Sequence, residues 1–190
     1  MAEVKHLIIG ASGASGMPVL KRCLEITGRK EEWRTTLVMS ESAIRTMPSE
    51  GIDVNEVRAL ADEVKDEADI GAWIASGSQL CEGMLVVPCS MKSAAGIANG
   101  YTDNLLLRAA DVTIKEKRPL VLGVRETPLS QIHLRNLLTL AEISTVTVLP
   151  LMMTFYNQPQ TIDDMVTSLA ARLLRPFGIT CEDYRPWQGN

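Results

Sequence analysis

HLIIGASGASG, residues 6–16, sets a short apolar run directly against a loop of small residues. Leu7, Ile8 and Ile9 are apolar on both parities, which suits a strand buried on both faces. Gly10-Ala11-Ser12-Gly13-Ala14-Ser15-Gly16 follows. Small residues let backbone N–H groups approach an anion, and a helix starting there would turn its positive N-terminus toward it. A structural tight turn is the competing reading of this loop. The spacing is GxxGxxG, not the GxGxxG of dinucleotide binders.

Four further runs repeat the apolar signal: Thr36–Met39, Met84–Val87, Leu120–Val124 and Val146–Leu149. Helix-period apolar residues fill Val19–Ile26, Asn104–Lys115 and His133–Ile143 between them. Strand and helix alternating in this way predict βαβ units, hence an α/β fold: one three-layer sandwich with a mostly parallel sheet. Residues 41–78 carry weaker patterns, with one helical face at Val54, Val57, Leu60 and Ala61 and another suggested by Ile70, Trp73 and Ile74. Residues 161–177 read as a last helix, with Thr161 as N-cap, Asp163 and Asp164 in the first turn, and Pro176 and Gly178 stopping it. No linker or repeat divides the chain, so 1–190 is expected to form a single domain.

The chain has 190 residues, 46% apolar and 22% charged, with a formal net charge of −4. Those values fit a soluble globular protein and give no basic footprint for nucleic acid or an anionic membrane surface. The four cysteines form no CxxC pair and histidine is scarce, which argues against a zinc site or a disulfide framework. No apolar run is long enough to span a bilayer, and the start shows no signal-peptide pattern; a cytoplasmic location is expected.

In open α/β sheets ligands sit beyond the carboxyl ends of the strands, so the loops there carry the functional reading. The second strand ends in Met39-Ser40-Glu41-Ser42. A dinucleotide site would want an acid where Ser40 stands, which favours a phosphate-bearing mononucleotide. The third ends in Pro88-Cys89-Ser90-Met91-Lys92-Ser93, a second anion-ready loop, or an ordinary helix cap with a solvated lysine. Arg125-Glu126 after the fourth is where a ligand clamp and a proton-handling carboxylate would lie, unless the two are a surface ion pair. Beyond the fifth, Phe155-Tyr156-Asn157-Gln158 adds an aromatic hydroxyl. His133 and Cys89 read as structural, since neither has a partner beside it in a motif.

Taken together these loops resemble the flavin prenyltransferases of the UbiX type, a family that includes the small partner proteins of non-oxidative hydroxyarylic acid decarboxylases. The likeness covers nearly the whole chain. It is carried by GASGASG at 10–16, LVMS at 37–40, IASGS at 74–78, PCSMKS at 88–93, LLLRAADVTIKEKRPLVLGVRETPL at 105–129, IHL at 132–134 and FYNQPQT at 155–161.

The resemblance implies a Rossmann-like flavoprotein fold, a homododecamer, and metal-independent transfer of a dimethylallyl group from dimethylallyl phosphate to N5 and C6 of reduced FMN. The product, prenylated FMN, would serve a UbiD-type decarboxylase. By the same resemblance, Gly13, Ala14, Ser15, Ser40, Ser90, Met91, Lys92, Ser93 and Arg125 would contact FMN. Tyr156 and Arg172 would hold the prenyl phosphate, with Lys115 and Arg108 as further basic positions, and Ser15, Glu50 and Glu126 would take part in the chemistry. Met17-Pro18 and Glu50-Gly51 depart from the family pattern. Two other readings are an FMN-binding accessory subunit without prenyl transfer and a flavin-dependent decarboxylase of the phosphopantothenoylcysteine type. The second lacks a histidine where its motif would place one.

Overall fold

The structure is a computed structural model and describes residues 4–187. Six strands, β1 Lys5–Ala11, β2 Trp33–Met39, β3 Glu63–Asp66, β4 Gly83–Cys89, β5 Leu120–Val124 and β6 Val146–Pro150, form one sheet in the order β3-β2-β1-β4-β5-β6. Every pairing is parallel. The helices are α1 Met17–Gly28, α2 Glu41–Thr46, α3 Val54–Ala59, α4 Met91–Ala98, α5 Leu105–Lys115, α6 Gln131–Ala141 and α7 Ile162–Leu174.

Two apolar layers cover the sheet. On one face Leu20, Cys23 and Leu24 of α1 and Ala170 and Leu173 of α7 pack on Leu7, Ile9, Leu37 and Leu85. On the other, Ala94 of α4, Leu106 and Ala110 of α5 and Leu140 of α6 pack on Ile8, Val38, Met84 and Leu122. Alternate residues of β1 and β4 thus enter opposite layers, which is why these strands read as unbroken apolar runs rather than alternating ones. Strand order reverses between β1 and β4, and the crevice beyond their carboxyl ends is the expected ligand position.

The expected α/β sandwich with a parallel sheet is the fold observed, with three local corrections. The sheet has a sixth strand, β3, which the sequence conceals. It has four residues at a sheet edge, and its apolar member Val64 is 40% exposed. Ile70, Trp73 and Ile74 do not make a helix; Trp73–Ala75 is a single 3-10 turn that buries Ile74. The last helix ends at Leu174, and Arg175–Phe177 continue as a 3-10 turn closed by Gly178 in the left-handed region at φ 77°. Pro18 is accommodated in the first turn of α1, where no intrahelical N–H is required.

Candidate active site

Across the β1–β4 crevice the two loops are tied by hydroxyls. Ser12, buried after β1, accepts the N–H of Ser90 on its Oγ at 2.8 Å and donates its own N–H to the carbonyl of Pro88 at 3.0 Å. Ser90 in turn caps α4, its Oγ accepting the N–H of Ser93 at 3.3 Å. Ser40 caps α2 in the same way, accepting the N–H of Ala43 at 3.1 Å and lying 3.1 Å from the Oγ of Ser42. The cap pattern follows from residue type: short hydroxyls at the residue before a helix satisfy its free N–H groups.

Ser40, Ser42, Ser90, Lys92 and Ser93 line one cavity of about 260 Å³, together with Arg45, Glu67 and Asn104. Hydroxyls and a cation around a space of this size suit a phosphate or a polar chain bearing one. Gly13 closes the loop against α2. A Cβ there would lie 2.6 Å from the Cβ of Ser42, so the backbone approaches as only glycine permits.

Glu50 reaches the other end of the glycine loop. Its carboxylate accepts the N–H of Met17 at 2.8 Å and of Gly16 at 3.0 Å, supplying the cap that Gly16 itself lacks. Ser15, exposed, immediately precedes the Gly16 N–H that the Glu50 carboxylate holds. Arg125 and Glu126 follow β5 as exposed residues, with the backbone N–H of Arg125 donated to the carbonyl of Cys89 at 3.2 Å. Oε1 of Glu126 accepts the N–H of Thr127 at 3.0 Å.

The positions expected to hold prenyl phosphate are not gathered in that cavity. Tyr156 is 77% exposed and lines a separate cavity of about 440 Å³ with Tyr184, Arg185 and Trp187. Its ring lies 6.2 Å from that of Trp187. Arg172 is on the exposed side of α7, eleven residues past the cap Thr161, or roughly 16 Å along the helix. Lys115 ends α5 beside Glu116, and Arg108 is engaged by Asp111 at 2.9 Å and the carbonyl of Ala75 at 3.3 Å. The C-terminal end of α5 leads into the amino ends of the strands, opposite the rim that carries Ser40 and Ser90.

The discounted residues are structural. His133 completes a capping box, its Nδ1 accepting the N–H of Ser130 at 3.2 Å. Cys89 is buried, and desolvation pushes its thiol up to about 12, which keeps it protonated. Trp73 donates its indole N–H to Glu63 at 2.7 Å, away from the rim. Among the described residues no group of His, Cys, Asp or Glu is placed to hold a metal ion, and no helix is long and apolar enough to cross a membrane. Ser12, Arg45, Glu67 and Asn104 escaped the sequence reading as site residues. Ser12 sat in the glycine loop but gave no sign of its hydrogen bonds, and the other three belong to no phosphate-binding motif.

A switch-point crevice floored by a small-residue loop, with serine-capped helices around it, defines a mononucleotide-binding α/β protein. The flavoprotein family matches residues 1–174. The chain is 46% identical to the flavin prenyltransferase UbiX of Escherichia coli strain K12, over 98% of this chain and 100% of that one. It is 48% identical to a probable UbiX-like flavin prenyltransferase of Streptomyces sp. strain D7, over 97% and 92%. A solved structure of a dodecameric FMN-dependent UbiX-like decarboxylase from Escherichia coli O157:H7 superposes with a TM-score of 0.94 at 46% identity, covering 97% of this chain and 100% of that one. AnUbiX, solved in complex with FMN and dimethylallyl pyrophosphate, gives 0.93 at 39% identity, covering 98% and 99%. The chain belongs to the flavoprotein family and, within it, to the UbiX-type flavin prenyltransferases.

Proposed function

We propose that the protein joins the dimethylallyl group of dimethylallyl phosphate to N5 and C6 of reduced FMN, releasing prenylated FMN for a UbiD-type decarboxylase, and that it does so in the cytoplasm as one domain assembled into a dodecamer. The observation that carries this reading is the convergence of Ser40, Ser90, Lys92 and Ser93 on one cavity at the β1–β4 switch point. The donor set fits the flavin: hydroxyls and a lysine for its phosphate, and a glycine loop tight enough for backbone contact. AnUbiX, similar over nearly its whole length, was solved with FMN and dimethylallyl pyrophosphate.

Reduced flavin supplies the nucleophilic atoms when bound. The residues of this chain then have separable tasks. Gly13, Ala14 and Ser15, with Met91, would line the ring side, and Arg125 would clamp the rim. Phosphate departure breaks the allylic C–O bond and builds negative charge, which Arg172 and the Tyr156 hydroxyl would stabilise, joined by Lys115 and Arg108. Closure at C6 consumes the prenyl double bond, so its central carbon gains a proton as C6 loses one. Glu126 or the departed phosphate would carry that proton exchange, with Ser15 and Glu50 ordering the turn beside it.

Lys115 stands at the wrong edge of its own sheet for this task, so the reading assigns it to the site of a neighbouring copy, whereas Arg108 lies in the first turn of α5 beside Leu107 of the cavity wall. The surface supports such an assembly. From Thr127 to Ile162 only Arg135 and Glu142 are charged. Ile132, Leu134 and Leu138 of α6 and Met152, Met153 and Phe155 are more than half exposed, a density of open apolar side chains typical of covered faces.

The test is anaerobic incubation with reduced FMN and dimethylallyl phosphate, followed by mass spectrometry of the released flavin. A flavin heavier by one five-carbon prenyl unit is expected. Unchanged FMN, bound to a folded protein, would leave an FMN-binding subunit without transfer.

A further inference from the structure

Glu67, in the segment after β3, lines the flavin cavity yet has no part in the chemistry proposed for it. Its half-buried carboxylate serves two helices at once. Oε1 accepts the N–H of Glu41, the first residue of α2, at 2.5 Å, and Oε2 accepts Nδ2 of Asn104, the cap of α5, at 3.0 Å. The Glu67 carbonyl also accepts the N–H of Leu105 at 2.8 Å. The orientation of the Asn104 amide is fixed by its other bond, in which Oδ1 accepts the N–H of Leu107 at 2.9 Å. Asn104 therefore has a donor and no acceptor to offer Glu67.

We propose that Glu67 is a positioning residue for the flavin pocket, a tether between α2 and α5 that sets the gap between the Ser40 wall and the wall made by Leu106 and Leu107. The inference rests on the reading of this cavity as the FMN site. Charge alone would argue the other way. A carboxylate lining a phosphate cavity repels the ligand, although Lys92 and Arg45 line the same space. Removing the charge should tighten FMN binding if repulsion dominates, and loosen it if the tether dominates. The sign of the change separates the two.

Three variants of the full chain decide it, read by the quenching of FMN fluorescence on titration. In Glu67→Gln the amide can still accept from Glu41, but its NH2 then faces Nδ2 of Asn104, donor against donor. In Asn104→Asp a second carboxylate faces Glu67. In the double variant the new amide at position 67 donates to one oxygen of the new carboxylate at position 104, while the other oxygen accepts from Leu107. The tether then returns with donor and acceptor exchanged. Each single variant should weaken FMN binding about tenfold, and the double variant should recover to within about threefold of wild type.

Binding by E67Q as tight as wild type or tighter overturns the proposal, as does a double variant whose losses simply add. A lowered unfolding temperature with unchanged FMN affinity also overturns it, since that is a purely structural contact. Should E67Q fail to fold, N104D and the double variant carry the same comparison. A wild-type protein that binds no FMN would remove this inference together with the flavin reading. One that binds FMN but transfers no prenyl group would remove the transferase reading alone.

Discussion

The carboxylate of Glu50 accepts the backbone N–H of Met17 at 2.8 Å. With the bond to Gly16 it fills the N-terminus of α1 with a side-chain anion, so in this chain the glycine loop does not offer that terminus to a bound phosphate. In the proposed function the flavin phosphate therefore falls to the serine-capped loops at Ser40 and Ser90. Glu50→Gln keeps one acceptor and turns an NH2 toward a second donor. A loss of about 1–2 kcal/mol is expected, which for a chain of this size lowers the unfolding temperature by a few degrees. Turnover should fall at least about tenfold, because Ser15 sits in the turn being released. An unfolding temperature equal to wild type would sink the capping role.

Gly13→Ala tests the close approach of loop and helix. The added methyl would lie 2.6 Å from the Cβ of Ser42, which the backbone fixes, and 2.8 Å from its Oγ; the hydroxyl can rotate away but the Cβ cannot. The start of α2 must shift, carrying Ser40 with it. FMN affinity should drop about tenfold or more while the far-ultraviolet circular dichroism stays that of the wild type. Unaltered affinity would mean that the Ser40 wall is not part of the flavin pocket.

Strands buried on both faces could be read from Leu7–Ile9 or Leu120–Val124 because every residue there must be apolar. β3 could not, since Glu63, Lys65 and Asp66 sit at an edge where water replaces a core. The capping serines were legible as residue types in loops, being next to the helices they cap. Ser12 at Ser90 and Glu67 at Asn104 were not, because these partners are 78 and 37 residues apart and meet only through the sheet order. The assignment of Lys115 and Arg108 came from likeness to the family. The chain's own geometry sets Lys115 at the edge opposite Ser40 and Arg108 in the first turn of α5, next to the cavity wall.

Glu63 gives the fold a measurable acid sensitivity. Burial pushes its carboxyl up, but hydrogen bonds from Lys65, Trp73 and Thr36 together outweigh that and hold it below the ordinary carboxylate value. A folded value lower than the unfolded one stabilises fully above about pH 4.3 and is lost as pH falls through the folded value. Glu63→Gln should therefore be less stable than wild type near neutrality, with the gap closing below about pH 4. Urea unfolding followed by tryptophan fluorescence from about pH 3 to 7 measures it. A gap that stays constant across that range would show that ionisation of Glu63 contributes nothing.

Lys115 and Tyr156 provide the decisive test of a site shared between copies. Lys115 closes α5 just before β5 begins, whereas Tyr156 follows the carboxyl end of β6, so the length of a strand, roughly 16 Å, separates their levels in one chain. Lys115→Ala and Tyr156→Phe should each depress prenyl transfer by at least about a hundredfold as pure assemblies, if both stabilise the leaving phosphate. Co-expressed in equal amounts, they form mixed assemblies. A site drawing its lysine and its tyrosine from different copies then receives both intact residues in about one case in four, and activity should return to about a quarter of wild type. Were both residues to serve the site of their own chain, every site would keep one defect and no activity would return. Recovery therefore requires that Lys115 act on a neighbour's substrate, the arrangement that its place in the fold demands.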